Sequence, residues 1–150
     1  EQLCINYANE KLQQLFNLHT FTQEEALYKA EGIDHHHIEF IDNQPVLTLI
    51  EAVGGVGKPA GLLMCLDDEA FLGPQGSEEG FMRNVTSYHG SKPDLFHVFT
   101  LQERKRDAIA PGFSVCHYAG TVAYAVGGFL EKNQDPISAD LTELLAGSSS

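Results

Sequence analysis

The sequence has few basic residues, and this scarcity excludes several classes of partner. Lys and Arg together number 9 against 21 Asp and Glu, so the formal net charge is −12. Nucleic acids and anionic membrane surfaces are bound by clustered basic side chains, and we therefore expect neither as a partner. Residues 104–106 form the one dense basic run, and such a short run is more typical of a solvated loop.

Long apolar runs and a signal sequence are also missing. No run approaches the roughly 18 residues that predict a transmembrane helix. The first residues lack the basic and then apolar pattern of a signal peptide. Cys4, Cys65 and Cys116 are widely spaced and form no CxxC pair. Such cysteines are typical of a reducing compartment, so we expect a cytoplasmic chain without a disulfide framework.

Proline and glycine are absent from residues 1–31, and this stretch predicts one long amphipathic helix. The helix would be about 45 Å long and would end at Gly32. It has no N-cap residue in front of it, and residues 147–150 read Gly-Ser-Ser-Ser, so both termini resemble cuts in a longer chain. A long core helix without a special role is the alternative. The apolar positions with helical spacing are Ile5, Ala8, Leu12, Leu15, Phe16, Phe21, Ala26, Leu27 and Tyr28.

Further helices are predicted over residues 46–53, 61–72 and 77–90, the last with Ser77 as its N-cap. The second and third form a helix–loop–helix whose tip carries Phe71, Leu72 and Pro74. Apolar residues at a loop tip indicate an interaction surface, although they could also fold back onto their own hairpin.

A β-hairpin is predicted over residues 112–126, where apolar residues alternate on both sides of Ala119-Gly120. Phe96 and Val98 predict a short strand, residues 102–112 read as a surface loop, and Leu141, Leu144 and Leu145 predict a last short helix. The predicted fold class is therefore α+β, mainly α with a small hairpin, in one domain of 150 residues.

No pattern of catalytic, metal-binding or cofactor-binding residues is convincing. Residues 35–37 are three histidines, but consecutive residues rarely coordinate the same metal ion. A surface loop is therefore favoured over a metal site. Residues 54–58 end in Gly-Lys, yet Pro59 stands where a phosphate loop needs Ser or Thr. Cys116 and His117 are neighbours in a predicted strand, so they point to opposite faces and form no dyad.

Four motifs resemble the myosin motor domain and occur in that family's order. EQLCINYANEKLQQLFN closely resembles the relay helix, EGI…IEFIDNQP…LIE the relay loop, and LDDEAFLGPQGSEEGF the actin-binding helix–loop–helix. HYAGTVAY and EKNQDP resemble the hairpin beside the relay helix and the strut of the actin-binding cleft. The resemblance implies that residues 1–150 are the lower actin-binding subdomain of a P-loop NTPase motor head, truncated at both ends.

The resemblance also implies roles for individual residues. The actin contact would comprise Phe71, Leu72, Pro74, Gln75 and Phe81, and the strut would contain Asp135 and Pro136. The path from the switch II loop to the converter would comprise Asn9, Phe16, Ile33, His35, Phe40 and Tyr118. In that path Asn9 would lie against Tyr118, and the helix would bend near Phe16.

The implied partners are an actin filament and the rest of the motor head, including the upper subdomain and the converter, in the cytoskeleton of the cytoplasm. ATP and Mg²⁺ would bind elsewhere in the parent, an actin-activated ATPase. The P-loop and both switches are missing here, so we expect no ATP hydrolysis by this segment alone. Without the upper subdomain, we expect one apolar face of the long helix to be uncovered. An independent helical protein-interaction module is the alternative.

The chain departs from the family pattern at several positions. It contains no Trp, whereas many members carry one near the position of His35, and Phe129 replaces another. One extra residue precedes Pro74, and the segment around Gly57 is a few residues longer than usual. At a net charge of −12, contact with the acidic surface of actin should depend on apolar burial and change little with salt.

Overall fold

The computed structural model describes residues 1–33 and 42–133. Seven α-helices and three strands follow one another in these ranges. The helices are α1 Gln2–Asn17, α2 Gln23–Glu31, α3 Gln44–Glu51, α4 Leu62–Phe71, α5 Glu78–His89, α6 Leu101–Asp107 and α7 Phe129–Asn133. The strands are β1 Phe96–Val98, β2 Gly112–His117 and β3 Gly120–Ala125. The α+β fold class is confirmed. Asp135, Pro136, the helix predicted at Leu141–Leu145 and the three histidines lie outside the described residues.

The long N-terminal helix forms as predicted, but it is not uniform. A π-helical segment, Leu18–Thr22, joins α1 to α2, and Gly32 ends the helix with a left-handed φ of +68°. A π turn holds more residues than an α turn, so it rotates the faces of α2 relative to those of α1. The rings of Phe16 and Phe21 meet edge to face across this segment, with 6.2 Å between their centroids.

The buried face of α1 is not its apolar face. Leu3, Glu10 and Asn17 are the buried residues of α1, and they are spaced two helical turns apart. Most of the predicted apolar positions are exposed. The large exposed side chains among them are Ile5, Leu12, Leu15, Phe16 and Leu27. The α1 helix is therefore held to the core partly by polar groups, which a count of apolar periodicity does not detect.

Phe113 of β2 lies at the centre of the core. Its ring is fully buried and contacts the helix–loop–helix, the two other strands and α7. The partners are Phe81, Phe96, Tyr124 and Phe129, at centroid distances between 5.3 and 6.2 Å. The sheet is antiparallel in the order β1–β2–β3, and Phe113 is paired with Tyr124. The predicted hairpin is thus confirmed, and the strand predicted at Phe96 adds a third strand to it.

The surface loop predicted at residues 102–112 is wrong over its first half. The α6 helix covers residues 101–107, because Thr100 caps it. The Thr100 hydroxyl accepts from the Glu103 N–H, and the Glu103 carboxylate accepts from the Thr100 N–H. This reciprocal capping box stabilises the first turn of a short helix. The basic run at residues 104–106 occupies its last turn, where positive charge is favourable.

Candidate functional site: a helix–hairpin junction and an apolar tip

A fully buried carboxylate, that of Glu10, joins α1 to the β-hairpin and to the start of α3. Its Oε1 accepts from the backbone N–H of Tyr118 at 2.9 Å and lies 3.0 Å from Nδ1 of His117. Its Oε2 accepts from Nδ2 of Asn43 at 2.6 Å, and Asn43 donates to the Glu10 carbonyl as well. Buried carboxylates are tolerated only when they are hydrogen-bonded in this way.

His117 and Tyr124 extend this network back to α1. Nε2 of His117 lies 2.6 Å from the hydroxyl of Tyr124, which also accepts from Nδ2 of Asn6 at 2.6 Å. Burial raises the pKa of Tyr124, so its hydroxyl retains the proton that it donates to His117. In the tautomer with its proton on Nδ1, the imidazole accepts from Tyr124 and donates to Glu10. Every link of the chain Asn6–Tyr124–His117–Glu10 therefore has a donor and an acceptor. We call this network, with Asn43, the Glu10 junction.

Asn9 and Tyr118, the pair that the resemblance places together, line the same cavity beside the Glu10 junction. The cavity has a volume of about 170 Å³, and it is also lined by Glu10 and His117. Both Asn9 and Tyr118 have exposed side chains. The direct links from helix to hairpin join Glu10 to His117 and to the backbone N–H of Tyr118, and Asn6 to Tyr124. The role of the Asn9–Tyr118 side-chain pair stays a prediction.

A second set of polar contacts ties α1 to α3. The Tyr7 hydroxyl donates to Glu51, and Nζ of Lys11 lies 2.7 Å from Glu51 Oε1. Burial opposes ionisation of Glu51, but the hydrogen bonds from Lys11 and Tyr7 outweigh it and lower its pKa. The hydrogen bond to Glu51 raises the pKa of Lys11 in turn. The first half of the long helix is therefore anchored on two sides, by the hairpin and by α3.

Fewer contacts to other elements hold the far half of the long helix. None of the residues in α2 is buried. Phe16 is exposed just before the π-helical segment, and Ile33 is half-exposed just after Gly32. His35 and Phe40, the other predicted residues of this end, lie outside the described residues.

The tip of the helix–loop–helix carries an uncovered apolar surface. Phe71 is 92 % exposed and so does not fold back onto its own hairpin, and Leu72 is half-exposed. Pro74 and Gln75 are exposed in the 3-10 turn that follows. These four residues, which we call the apolar tip, lie at the end of α4 and in the turn that follows it.

Phe81 does not belong to this surface, and its assignment to the actin contact was wrong. It is only 1 % exposed and packs against Phe113 and Phe129 in the core. It lies in the first turn of α5 on the buried side, next to buried Gly80, whereas Glu79 is exposed on the other side.

Glycine-rich residues 54–58 form a turn that closes on itself. The backbone groups of Gly55 and Lys58 bond to each other, at 3.2 and 3.0 Å, so these amides do not point at a ligand. Val56 stands fully exposed at its end. In residues 1–33 and 42–133, no group of three or more His, Cys, Asp or Glu side chains could hold a metal ion. No helix in the same ranges is long and apolar enough to cross a bilayer.

Comparison with known proteins decides the family. The family model described as Myosin head (motor domain) matches residues 1–150. The chain belongs to the myosin head family. Myosin-4 of Arabidopsis thaliana is 44 % identical over 97 % of this myosin head segment, which spans 12 % of that relative. The high molecular weight form of myosin-1 of Acanthamoeba castellanii is 42 % identical over 96 % of the segment, which spans 8 % of it. Unconventional myosin-XV of Homo sapiens is 40 % identical over 99 %, and the segment spans 4 % of its length.

The Glu10 junction is the part of the site that sequence reasoning missed. The one available signal was the inward alternation of His117 with Phe113 and Val115, which put a polar side chain on the buried face of the myosin head hairpin. A buried histidine needs a partner. The sequence could not identify Glu10 as that partner, because Glu10 and His117 are 107 residues apart and no sequence motif links them.

Proposed function

We propose that this myosin head segment is part of an actin-based, ATP-driven motor in the cytoskeleton of the cytoplasm. Its apolar tip contributes a contact with the actin filament. Its long helix relays the nucleotide state from the switch II loop to the converter. ATP and Mg²⁺ bind in the parent head outside this segment. Because the whole chain matches the motor family, an independent interaction module is disfavoured.

The observation that carries the proposal is the exposure of Phe71 at the end of a helix pair anchored in the core. Large apolar side chains at a tip are normally found at interaction sites. Burying such a side chain against a partner is worth about 1.5–3 kcal/mol. The segment's charge of −12 gives no long-range attraction to an acidic filament. The affinity that this segment contributes must therefore come from apolar burial.

The experiment is co-sedimentation of the nucleotide-free motor head with actin filaments. We expect Phe71→Asp to weaken binding by about tenfold or more, since the apolar contribution is lost and a charge is added. Val56→Asp is the matched control, because Val56 is also fully exposed and apolar but lies on another loop. It should bind like the wild type. Equal pelleting of Phe71→Asp and wild type would remove the tip from the contact.

The relay part of the proposal is supported by the Glu10 junction and by the π-helical segment. The junction ties the near half of the helix to the hairpin, whereas α2 beyond the π-helical segment has no buried residue. A shift of the hairpin would therefore move the near half, and the far half would swing about the residues near Phe16. The uncovered apolar face of α1 would lie against the rest of the head.

The relay can be followed by fluorescence, because this segment contains no Trp. An Ile33→Trp head should change its emission when ATP is added, measured as the difference from the unlabelled head. Adding Glu10→Gln should reduce that change, since the substituted amide cannot accept from His117, Tyr118 and Asn43 together. An undiminished change would show that the junction does not carry the signal.

A further inference from the structure

The carboxylate of Glu69 is buried directly beneath the apolar tip. It lies in the last turn of α4, two residues before Phe71, and is only 6 % exposed. Its Oε2 accepts from the backbone N–H of Ser77 at 3.1 Å, and its Oε1 accepts from Nδ2 of Asn84 at 3.0 Å. One side chain of α4 therefore reaches across the loop and binds the start and the second turn of α5.

The backbone on the far side of the loop is packed tightly around Glu69. A Cβ atom at Gly76 would lie 2.0 Å from the Glu69 carbonyl oxygen, and one at Gly80 would lie 2.4 Å from Oε2. Both positions therefore require glycine for this arrangement. Ser77 caps α5 by accepting from the Gly80 N–H at 3.0 Å. Ser77 is therefore bound through its N–H to Glu69 and through its hydroxyl to the first turn of α5.

Within residues 1–33 and 42–133, the tip itself has no such side-chain anchor. Leu72, Gln75 and Gly76 donate to carbonyls three residues earlier, at 3.1 to 3.3 Å, and these are local turn contacts. The side chain of Phe71 is almost entirely exposed. The contacts of Glu69 thus close the loop at its base, where the two helices meet.

We propose that Glu69 is a positioning residue that holds the apolar tip in its binding conformation before a filament is met. The inference rests on the proposed actin contact. A loop that is already ordered does not lose conformational freedom on binding, so more of the apolar burial appears as affinity. Loss of the Glu69 contacts should leave the composition of the tip unchanged and weaken its binding.

The test uses the motor head with Glu69→Gln, which conserves size and shape. The new amide oxygen can accept from Ser77, and Asn84 can turn its own oxygen towards the new NH₂, but neither hydrogen bond then involves a charged group. Hydrogen bonds to a charged group are roughly twice as strong as neutral ones, so we expect about tenfold faster amide exchange across residues 71–77. Exchange in β2 should not change. Affinity for actin filaments in co-sedimentation should fall by about tenfold.

Combining Glu69→Gln with Asn84→Asp is the rescue. The new amide oxygen accepts from Ser77, and its NH₂ donates to the new carboxylate, so the same contacts are made with one of them reversed. Slow exchange and affinity should both return. If Glu69→Gln unfolds the head, Asn84→Ala removes a single hydrogen bond and should raise exchange in the same residues to a smaller extent.

Unchanged exchange at residues 71–77 in Glu69→Gln overturns the inference. Raised exchange with undiminished affinity also overturns it, provided that Phe71→Asp weakens binding. If Phe71→Asp binds like the wild type, the actin contact fails and the positioning role fails with it. Raised exchange in Glu69→Gln would still show in that case that Glu69 orders the tip, so the two failures are distinguishable.

Discussion

His117 in the hairpin lies 3.0 Å from the buried carboxylate of Glu10 in the long helix, although 107 residues separate them in the chain. This contact joins the long helix directly to the hairpin packed beside it. It is also costly to break, because each partner is buried and neither has access to water. The relationship leads directly to a prediction about stability.

Glu10→Ala should destabilise the motor head by about 3 kcal/mol or more, since buried groups of His117, Tyr118 and Asn43 lose their acceptor. The measurement is the shift of the denaturant midpoint of the transition that unfolds this segment. Glu31→Ala is the control, because Glu31 is an exposed carboxylate in the same long helix. Equal shifts for the two variants would contradict the burial of Glu10 described here.

Phe81 and Phe71 form a matched pair for testing the corrected assignment. Phe81→Ala should cost about 3–5 kcal/mol, because it leaves a cavity beside Phe113 in the aromatic core. The same change at the exposed Phe71 should alter stability by less than about 0.5 kcal/mol. Phe71→Ala should lower the affinity of the folded head for actin filaments more than Phe81→Ala does. If Phe81→Ala changes the free energy of unfolding only slightly, Phe81 is exposed and not part of the core.

Gly112 at the start of β2 should tolerate no larger residue. A Cβ atom there would lie 2.0 Å from the carbonyl oxygen of Tyr124, so Gly112→Ala must push β3 away from β2. We expect a loss of about 1–3 kcal/mol in unfolding free energy. Gly127→Ala is the control, since nothing lies within 4 Å of the position of its Cβ. Comparable losses at the two glycines would be inconsistent with the described strand pairing.

His89 should make stability fall as the solution becomes mildly acidic. Its side chain is buried, and Nε2 lies 2.7 Å from the Ala60 carbonyl. Burial lowers its pKa below the ordinary 6.5, despite that hydrogen bond. Below about pH 6.5 the unfolded chain then binds more protons than the folded one. The free energy of unfolding therefore keeps the full contribution of His89 above this pH and decreases as the pH falls below it.

The corresponding measurement is the unfolding midpoint between about pH 7.5 and pH 5.5, the range in which histidine titrates. His89→Gln retains a donor for Ala60 but cannot be protonated, and it should flatten the slope. His19→Gln, a change at an exposed position, should retain the wild-type slope. A slope that survives His89→Gln would assign the acid sensitivity to another group.

Local chemistry explains which elements were predictable. Gly32 ends the long helix, Ser77 begins α5, and alternation marks β2 and β3, because each signal lies within a few residues of the element that it defines. The same kind of signal is present for α6, where Thr100 and Glu103 stand three apart, although the polar composition of the surrounding residues is typical of a loop. The α6 helix is therefore specified locally, by its capping box.

Burial was less predictable than secondary structure. Phe81 and Phe71 are the same residue type in one helix–loop–helix, yet one is in the core and the other is exposed. In α1, apolar Leu12 is exposed whereas charged Glu10 is buried. Hydrophobicity alone assigns Phe71, Leu12 and Glu10 wrongly and does not distinguish Phe71 from Phe81, because burial depends on which element packs against each face.

The sequence by itself determined the long helix and its end at Gly32, the helix–loop–helix, the hairpin and, through its four motifs, the resemblance to the myosin head. These properties depend on spacing and capping within short stretches of chain. Only the tertiary structure decided that Glu10 meets His117 and Asn43, that Glu69 closes the loop beneath Phe71, and which face of α1 is covered. Those contacts join distant parts of the chain, and their partners are set by how the packed elements meet.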